Sequence, residues 1–446
     1  MTFPFQIQMP PEHNAALPKE TDVVVIGGGI IGVMTAWELA KSGVSVVLLE
    51  KGRIGGEQSS RNWGWIRAQG RDPAEIPIMQ EAAAMWRAMA EEIPEDIGLR
   101  KSGVCYLAND ANEIGRYESW MPHARAHGLD TTVLTAKQTR DLIPDAAVNW
   151  AGALWTASDM KAEPWVALPA IARAAVRAGV TIIEGCAVRA LDLAGGKVAG
   201  VITERGRIIC EQVVLAGGAW SQLFLRRHGL TIPQLAVRAT VAATEPLGDV
   251  FQGGAVDSRL AFRKRADGGY TLAPEGFHEL YVGPDAFRAL AGYAKPLLAD
   301  PLGTRLLPAA PRHFPDAWGT ARKWDADRQS PFERMRILNP SANTAKVAKL
   351  ARDFAATFPQ LGPVKIKTAW AGMIDTMPDV VPIVDRAPLD GLTVATGMCG
   401  HGFGIGPAFG RITARIVMGK AAGYDLQRFR YGRFTDGTKL HLGPNL

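Results

Sequence analysis

Nowhere in the 446 residues do about eighteen apolar residues run together, so no membrane-spanning helix is expected. The first twenty residues lack a basic stretch followed by an apolar core, which argues against a secretory signal. Cysteine is scarce: Cys105, Cys186, Cys210 and Cys399 are the four present, and none sits in a Cys-x-x-Cys pair. That spacing fits neither a zinc site nor a disulfide framework, and a reduced, cytoplasmic protein is the expectation. Clustered positive charge is lacking too. The net charge is +6, and the densest basic stretch, Arg259 to Arg265, is short and lies in a strand-like pattern. A nucleic-acid partner, which asks for stripes of Lys and Arg, is therefore not expected. A mild positive field would still help steer an anionic substrate.

What is present is an apolar share of 47% and 48 glycines, enough for a large core with many tight loops. The length suggests two to three domains. Residues 22–26 (DVVVI) read as a buried parallel strand ending in glycines. Helical spacing follows over 30–41, stopped by Gly43, and residues 45–50 (SVVLLE) read as a second buried strand. Further along, helices are expected over 74–93, 164–178 and 341–358, and strands over 102–108, 152–157, 180–185, 213–218 and 392–398. Turn signals at Gly195-Gly196 and Arg205-Gly206 divide residues 188–210 into hairpins, and another hairpin is expected at Asp267-Gly268-Gly269. The α/β pattern is interrupted by a β-rich middle and then resumes, so the domains read as interleaved.

The first strand–turn–helix carries Gly27-Gly28-Gly29-Ile30-Ile31-Gly32, a GxGxxG with glycines at 27, 29 and 32. The first glycine allows the tight turn, the second lets the backbone approach a diphosphate, and the third lets helix and strand pack closely. The diphosphate then lies at a helix N-terminus. Glu50 ends the second strand, eighteen residues after Gly32, placed to accept from ribose hydroxyls. An acid there argues against the 2′-phosphate of NADP.

Four stretches together resemble the glycine oxidase, D-amino-acid oxidase and sarcosine oxidase superfamily of flavoproteins over nearly the full chain. They are DVVVIGGGIIGVMTAWELAKSGVSVVLLEKG from Asp22, SSRNWGW at 59–65, VVLAGGAWS at 213–221, and WAGMIDTMPDVVPIVD at 370–385 followed by GMCGHGFGIGPAFG at 397–410. The resemblance implies an α/β fold in which a Rossmann-type FAD-binding domain (residues 20–100, 151–235 and 363–425) is interleaved with an antiparallel-sheet substrate domain. The latter takes 101–150 and 236–362, including a long insert at 286–360. Residues 1–19 would be an arm and 426–446 a tail.

The same resemblance places FAD against Gly27, Gly29, Ile30, Ile31 and Gly32, then Glu50 and Lys51, then Ser59, Ser60, Arg61, Asn62, Trp63, Gly64 and Trp65. Val188, Ala216, Gly217 and Trp220 would surround the adenosine half. Gly372, Gly400, His401, Gly402, Phe403, Gly404 and Ile405 would meet the ring. Glycines ahead of a helix allow several N–H groups to face the flavin N1–C2=O edge, where reduction places negative charge. His401 reads either as a packing residue or as a proton-handling one. Gly372 stands where sarcosine oxidases carry a cysteine and residues 59–65 hold no histidine, so non-covalent FAD is expected.

The implied chemistry is hydride transfer from the α-carbon of a neutral amine to flavin N5, which needs no essential acid–base pair. Many members of the superfamily grip the substrate carboxylate with an arginine after the W-x-G element; here that position is Ile374. Arg67, Arg71, Arg238, Arg263 and Arg322 are the alternative anchors, with Arg67 favoured because it follows Trp65. A displaced anchor leaves L- as well as D-selectivity open. Trp63, Trp65, Tyr270 and Trp370 could wall the substrate pocket, at least one of them being an ordinary core aromatic. Asp375 and Asp379 are candidates for an amino group or a turn cap.

The expected activity is therefore a soluble amino-acid oxidase using O2. The alternatives are a D-amino-acid or secondary-amine dehydrogenase passing electrons to a quinone or protein, an N-dealkylating oxidase, and, in other classes, a tRNA-modifying enzyme or a flavin scaffold. The expected partners are a small amine or amino acid and an electron acceptor, with a homodimer left open.

Overall fold

The computed structural model describes residues 5, 8–299 and 303–443. The run Val23–Ile26 is almost wholly buried and forms the centre of a six-stranded sheet. The strand order is Ile383–Arg386, Leu392–Thr396, Gln212–Leu215, Val23–Ile26, Val46–Glu50, Thr181–Glu184. All neighbours are parallel except the first pair. Parallel strands covered on both faces read as continuous apolar runs, which is why these segments were visible in the sequence.

Helices Ile30–Lys41 and Gly402–Val417 pack on one another over this sheet. Their close approach depends on small residues: a methyl group added at Gly410 would lie 2.4 Å from Met34 Cβ, and one at Gly406 2.9 Å from Ile30. The helix Ile76–Glu92 joins them, and its Trp86 donates from Nε1 to the Gly404 carbonyl at 2.9 Å.

The second layer is a ten-stranded, mostly antiparallel sheet. Its spine is the pair Leu235–Thr244 and Ile366–Thr376, in register from Leu235↔Thr376 to Ala243↔Thr368. Strand Gly152–Thr156 pairs here with Val104–Ala108. The domain boundaries expected at 151 and 363 therefore shift past these two strands. Hairpins form at 195–196, 205–206 and 267–269.

The insert 286–360 is structured. Helix Pro284–Ala299, strand Thr304–Leu307, the short helix Pro331–Arg334 with its Ser330/Glu333 capping box, and helix Thr344–Thr357 account for much of it. The basic stretch at 259–265 is internally neutralised: Arg259 pairs with Asp257, Arg263 with Glu163, Lys264 with Asp249 and Arg265 with Asp267.

The expected arm and tail are parts of the fold. Main-chain amides of Glu12 and His13 donate to Glu184 at 2.7 and 2.9 Å. Near the other end Phe429 is fully buried, and Arg433 forks onto the Asp379 carboxylate at 2.9 and 3.1 Å with both side chains out of solvent. Asp379 is thus an ion-pair partner rather than an amine ligand. Arg433→Met should cost about 3–5 kcal/mol, because it leaves the buried charge with only the longer 3.5 Å contact to Arg428 among the described residues. Urea denaturation should show the loss, and Arg433→Met/Asp379→Leu should recover much of it.

Candidate functional site

A cavity of about 820 Å³ runs from the glycine turn to the start of helix Gly402–Val417. Two helix N-termini open onto it. At one end Gly27 has φ +111°, and a Cβ there would sit 2.4 Å from the Ala216 carbonyl oxygen. Gly29, Ile30 and Ile31 line the wall, and the Ile30 amide donates to Ser59 Oγ at 3.0 Å, so a polar oxygen already stands where an anion would. Gly32 is a packing residue off the wall, since a Cβ would meet Gly27 O at 2.0 Å.

Glu50 lies at the floor and accepts from the Gly28 and Gly52 amides at 2.7 and 2.6 Å. Burial pushes its carboxyl up to about 7 despite Lys51 beside it. Glu50→Ala should therefore weaken FAD binding by about 10- to 100-fold, the value of one or two charge-assisted hydrogen bonds. Titration of the apoprotein with FAD, followed by flavin fluorescence, checks this.

Val188, Ala216, Gly217 and Trp220 border the same end. A residue not singled out from the sequence organises it: Glu57 pairs with Lys51 at 2.6 Å, accepts from Trp220 Nε1 at 3.1 Å and from the Leu338 amide at 2.9 Å. No local pattern marks it, because two of its three partners, Trp220 and Leu338, come from distant segments.

The Ser-rich loop is knitted from within. Asn62 accepts from the Gly64 amide at 2.7 Å and donates to Ser59 O at 2.8 Å. Arg61 donates to Ala371 O and Asn339 Oδ1, each at 2.8 Å, tying the loop to strand Ile366–Thr376. Ser59, Arg61, Asn62, Trp63 and Trp65 reach the cavity. Ser60, Gly64 and Ile405 do not: Ser60 is turned to Gly55 O, and a Cβ at Gly64 would strike Ala162 O at 2.5 Å. At the ring end Gly372, Gly400, His401, Gly402, Phe403 and Gly404 form the wall.

Several expected substrate residues lie elsewhere. Tyr270 is fully buried against Phe354, its hydroxyl held by Val250 N and Gly248 O. Trp370 stacks edge-on with Trp165 and donates to Arg61 O. Arg263 is forked onto Glu163, Arg322 donates to Asp316 at 3.0 Å, and Arg238 pairs with Glu279. None of these five borders the cavity. Asp375 is buried and accepts the Gly397 amide at 2.7 Å, bracing the turn before the second helix.

Arg67 does border the cavity, its guanidinium 5.4 Å from the centre of the Tyr106 ring. Arg71 lies deeper, almost wholly buried, with its Nη1 3.4 Å from Glu75. Burial lowers it to about 10, which leaves it charged. His401 Nδ1 is 3.5 Å from the same Glu75. Burial and the Arg71 charge hold His401 below its ordinary value, so it is neutral at neutral pH. Ile374 and Val237 also line the cavity as cross-strand partners. Helix Pro284–Ala299 closes the space with Phe287, Leu290, Tyr293 and Leu297. The insert is thus a wall of the cavity, through a helix that was not among those expected from the sequence.

The family model for DAO, FAD dependent oxidoreductase, matches residues 22–416. The chain belongs to the DAO family of FAD-dependent oxidoreductases. Among solved structures this DAO-family chain is similar to the L-amino acid deaminase of Proteus myxofaciens in complex with anthranilate. The two are 30% identical over 96% of this chain and 97% of that one, with a TM-score of 0.91. It is also similar to sarcosine oxidase subunit beta of Rhizobium meliloti, 26% identical over 95% of this chain and 92% of that protein. Glycine oxidase of Geobacillus kaustophilus is 26% identical over 92% and 97%. A DAO-family enzyme of this kind oxidises amines or amino acids with FAD, and the two helix N-termini with Glu50 between the first helix and the floor suit that cofactor. Among the described residues no helix is long and apolar enough to cross a membrane.

Proposed function

We propose that the chain oxidises L-amino acids with apolar side chains, giving an imino acid that water converts to a 2-oxo acid and ammonia. The observation that carries this reading is Arg67 on the cavity wall together with an apolar Ile374 on the same cavity's wall, at the position where many relatives have their carboxylate anchor. A guanidinium can hold the substrate carboxylate through two parallel hydrogen bonds. An anchor away from position 374 leaves the face on which the α-hydrogen is presented open to exchange, and the likeness to L-amino acid deaminases supports the L series. Val237, Ala239, Val241, Val256 and Leu290 make the remaining wall apolar, which suits an apolar side chain and disfavours the ammonium form.

Bound FAD supplies the hydride acceptor. Gly27, Gly29, Ile30, Ile31, Glu50, Ser59, Arg61, Asn62, Trp63, Trp65 and the 400–404 turn would hold it without a covalent bond. Cys399 borders the cavity, but its Sγ is engaged by Met377 N at 3.3 Å and Gly397 O at 3.0 Å. The division into FAD and substrate domains follows the two sheets, and a cytoplasmic location suits four free cysteines.

Electrons pass to O2, giving hydrogen peroxide. A second reading, transfer to a quinone or protein, is favoured by the lysines: Lys264 is held by Asp249 and two carbonyls away from the cavity, and Lys51 by Glu57 at the adenosine end. One experiment tests both. The purified yellow protein is mixed anaerobically with L- and D-amino acids, and air is then admitted. Bleaching by the L series alone supports the reading, and recolouring in air identifies an oxidase. Bleaching by the D series alone, or by sarcosine alone, overturns it.

A further inference from the structure

We propose that Glu275 receives the ammonium proton of the substrate, so that Arg67 and Glu275 together recognise the two charges of a zwitterion. This rests on the amino-acid reading of the same cavity. Glu275 sits on the loop between strands Tyr270–Ala273 and His278–Tyr281. Both strands pair with Leu235–Thr244, the first near its end (Ala242↔Leu272) and the second near its start (Val237↔Leu280). Ile366–Thr376 occupies the other edge of that strand, so the loop runs along the free edge between the two pairings, and it brings Glu275 to the wall that Arg67 and Tyr106 also line.

Among the described residues no hydrogen bond or ion pair engages the Glu275 carboxylate. Arg67 acts on it through space without closing an ion pair. The residue is solvent-exposed, and the crowding of its carboxyl at the cavity wall favours the protonated form. The crowding of the cavity drives it up to about 7, against the pull of Arg67 and with a push from Asp257. Solvent reaches the carboxyl through the cavity and softens this effect until a ligand fills the space. The other facing groups do not compete for the proton. Asp257 is paired with Arg259 and Asp353 with Lys349, Tyr106 is raised to about 12 by burial, and Lys346 lies over the Phe277 ring.

The step balances simply. An N–H bond of the ammonium breaks, its electron pair stays on nitrogen, and the proton forms an O–H bond on Glu275. The proton leaves to solvent after the product. The amine is then neutral, the form from which the α-hydrogen can depart with its bonding pair.

The test uses the FAD-loaded protein with Glu275→Gln and Glu275→Asp. In wild type, kcat/KM for the preferred L-amino acid should fall on the acid side with an apparent pKa near 7, as the acceptor becomes protonated. Glu275→Gln should lose that limb and drop on the order of 10²-fold at neutral pH, the usual scale of a general base. Glu275→Asp should keep the limb at intermediate rate. A readout independent of turnover is benzoate, a carboxylate without an amine, titrated by perturbation of the flavin spectrum. Its affinity should weaken as pH rises through 7 in wild type, because the ionised carboxylate repels it, and should be flat in Glu275→Gln. A wild-type acid limb and benzoate profile in Glu275→Gln would overturn the proposal. Wild type that no L-amino acid bleaches overturns the amino-acid reading instead, and the benzoate profiles still report whether Glu275 titrates in the cavity.

Discussion

Replacing Arg67 with Met should lower kcat/KM for the preferred L-amino acid on the order of 10²- to 10³-fold and leave the flavin content unchanged. Removing one partner of a desolvated charge pair costs about 2–5 kcal/mol, because the other charge is stranded. Here the stranded partner is the substrate carboxylate, in a space bounded by Tyr106, Val237 and Ile374. Arg67→Lys should recover only part of the loss, since an ammonium cannot reproduce the planar fork. Anaerobic flavin reduction measures both, and benzoate affinity should fall in parallel. Full activity in Arg67→Met would move the anchor off this wall, with Arg71 the next cation inward.

Gly27→Ala should produce colourless protein. The residue combines a left-handed φ of +111° with an approach of 2.4 Å between the added methyl and Ala216 O. Relief requires the turn to part from strand Gln212–Leu215, and that separation spoils both the helix start and the adenosine wall. Gly43→Ala is the control: its φ is +79° but nothing lies within 4 Å of the added atom. That change should cost on the order of 1 kcal/mol of stability and keep the cofactor. The ratio of visible to ultraviolet absorbance after purification separates the two outcomes.

The cofactor half of the site was legible because its physics is local. Gly27, Gly29 and Gly32 are required by a turn, an anion and a helix contact that all fall within six residues, and Glu50 follows at the end of the next buried strand. The substrate half was not, because its walls are assembled from segments far apart in the chain. Tyr106, Val237, Glu275 and Leu290 come from four separate elements, and none belongs to a pattern. Trp370, Tyr270 and Arg263 looked suitable by residue type. Whether such a side chain faces the cavity or the core depends on strand register, and Arg263 also needed Glu163, a hundred residues away, to be recognised as already satisfied. Arg67 was recoverable only through its place after Trp65.

The strands of the cofactor sheet come from residues 23–50, 181–215 and 383–396, and the helix that closes the ring end begins at Gly402. A chain leaving the ribosome therefore displays the glycine turn first and its counterpart last. In between, Val23–Ile26 and Val46–Glu50 must wait through some three hundred residues of synthesis for Leu392–Thr396 to cover the edge of Gln212–Leu215. Long-range pairing of this kind is slow and exposes open edges while it waits. The cavity is lined by both ends of this sequence, so a chain cut short of the 402–417 helix should stay colourless, open-edged and available to proteases, which visible absorbance and limited proteolysis of such a variant would check.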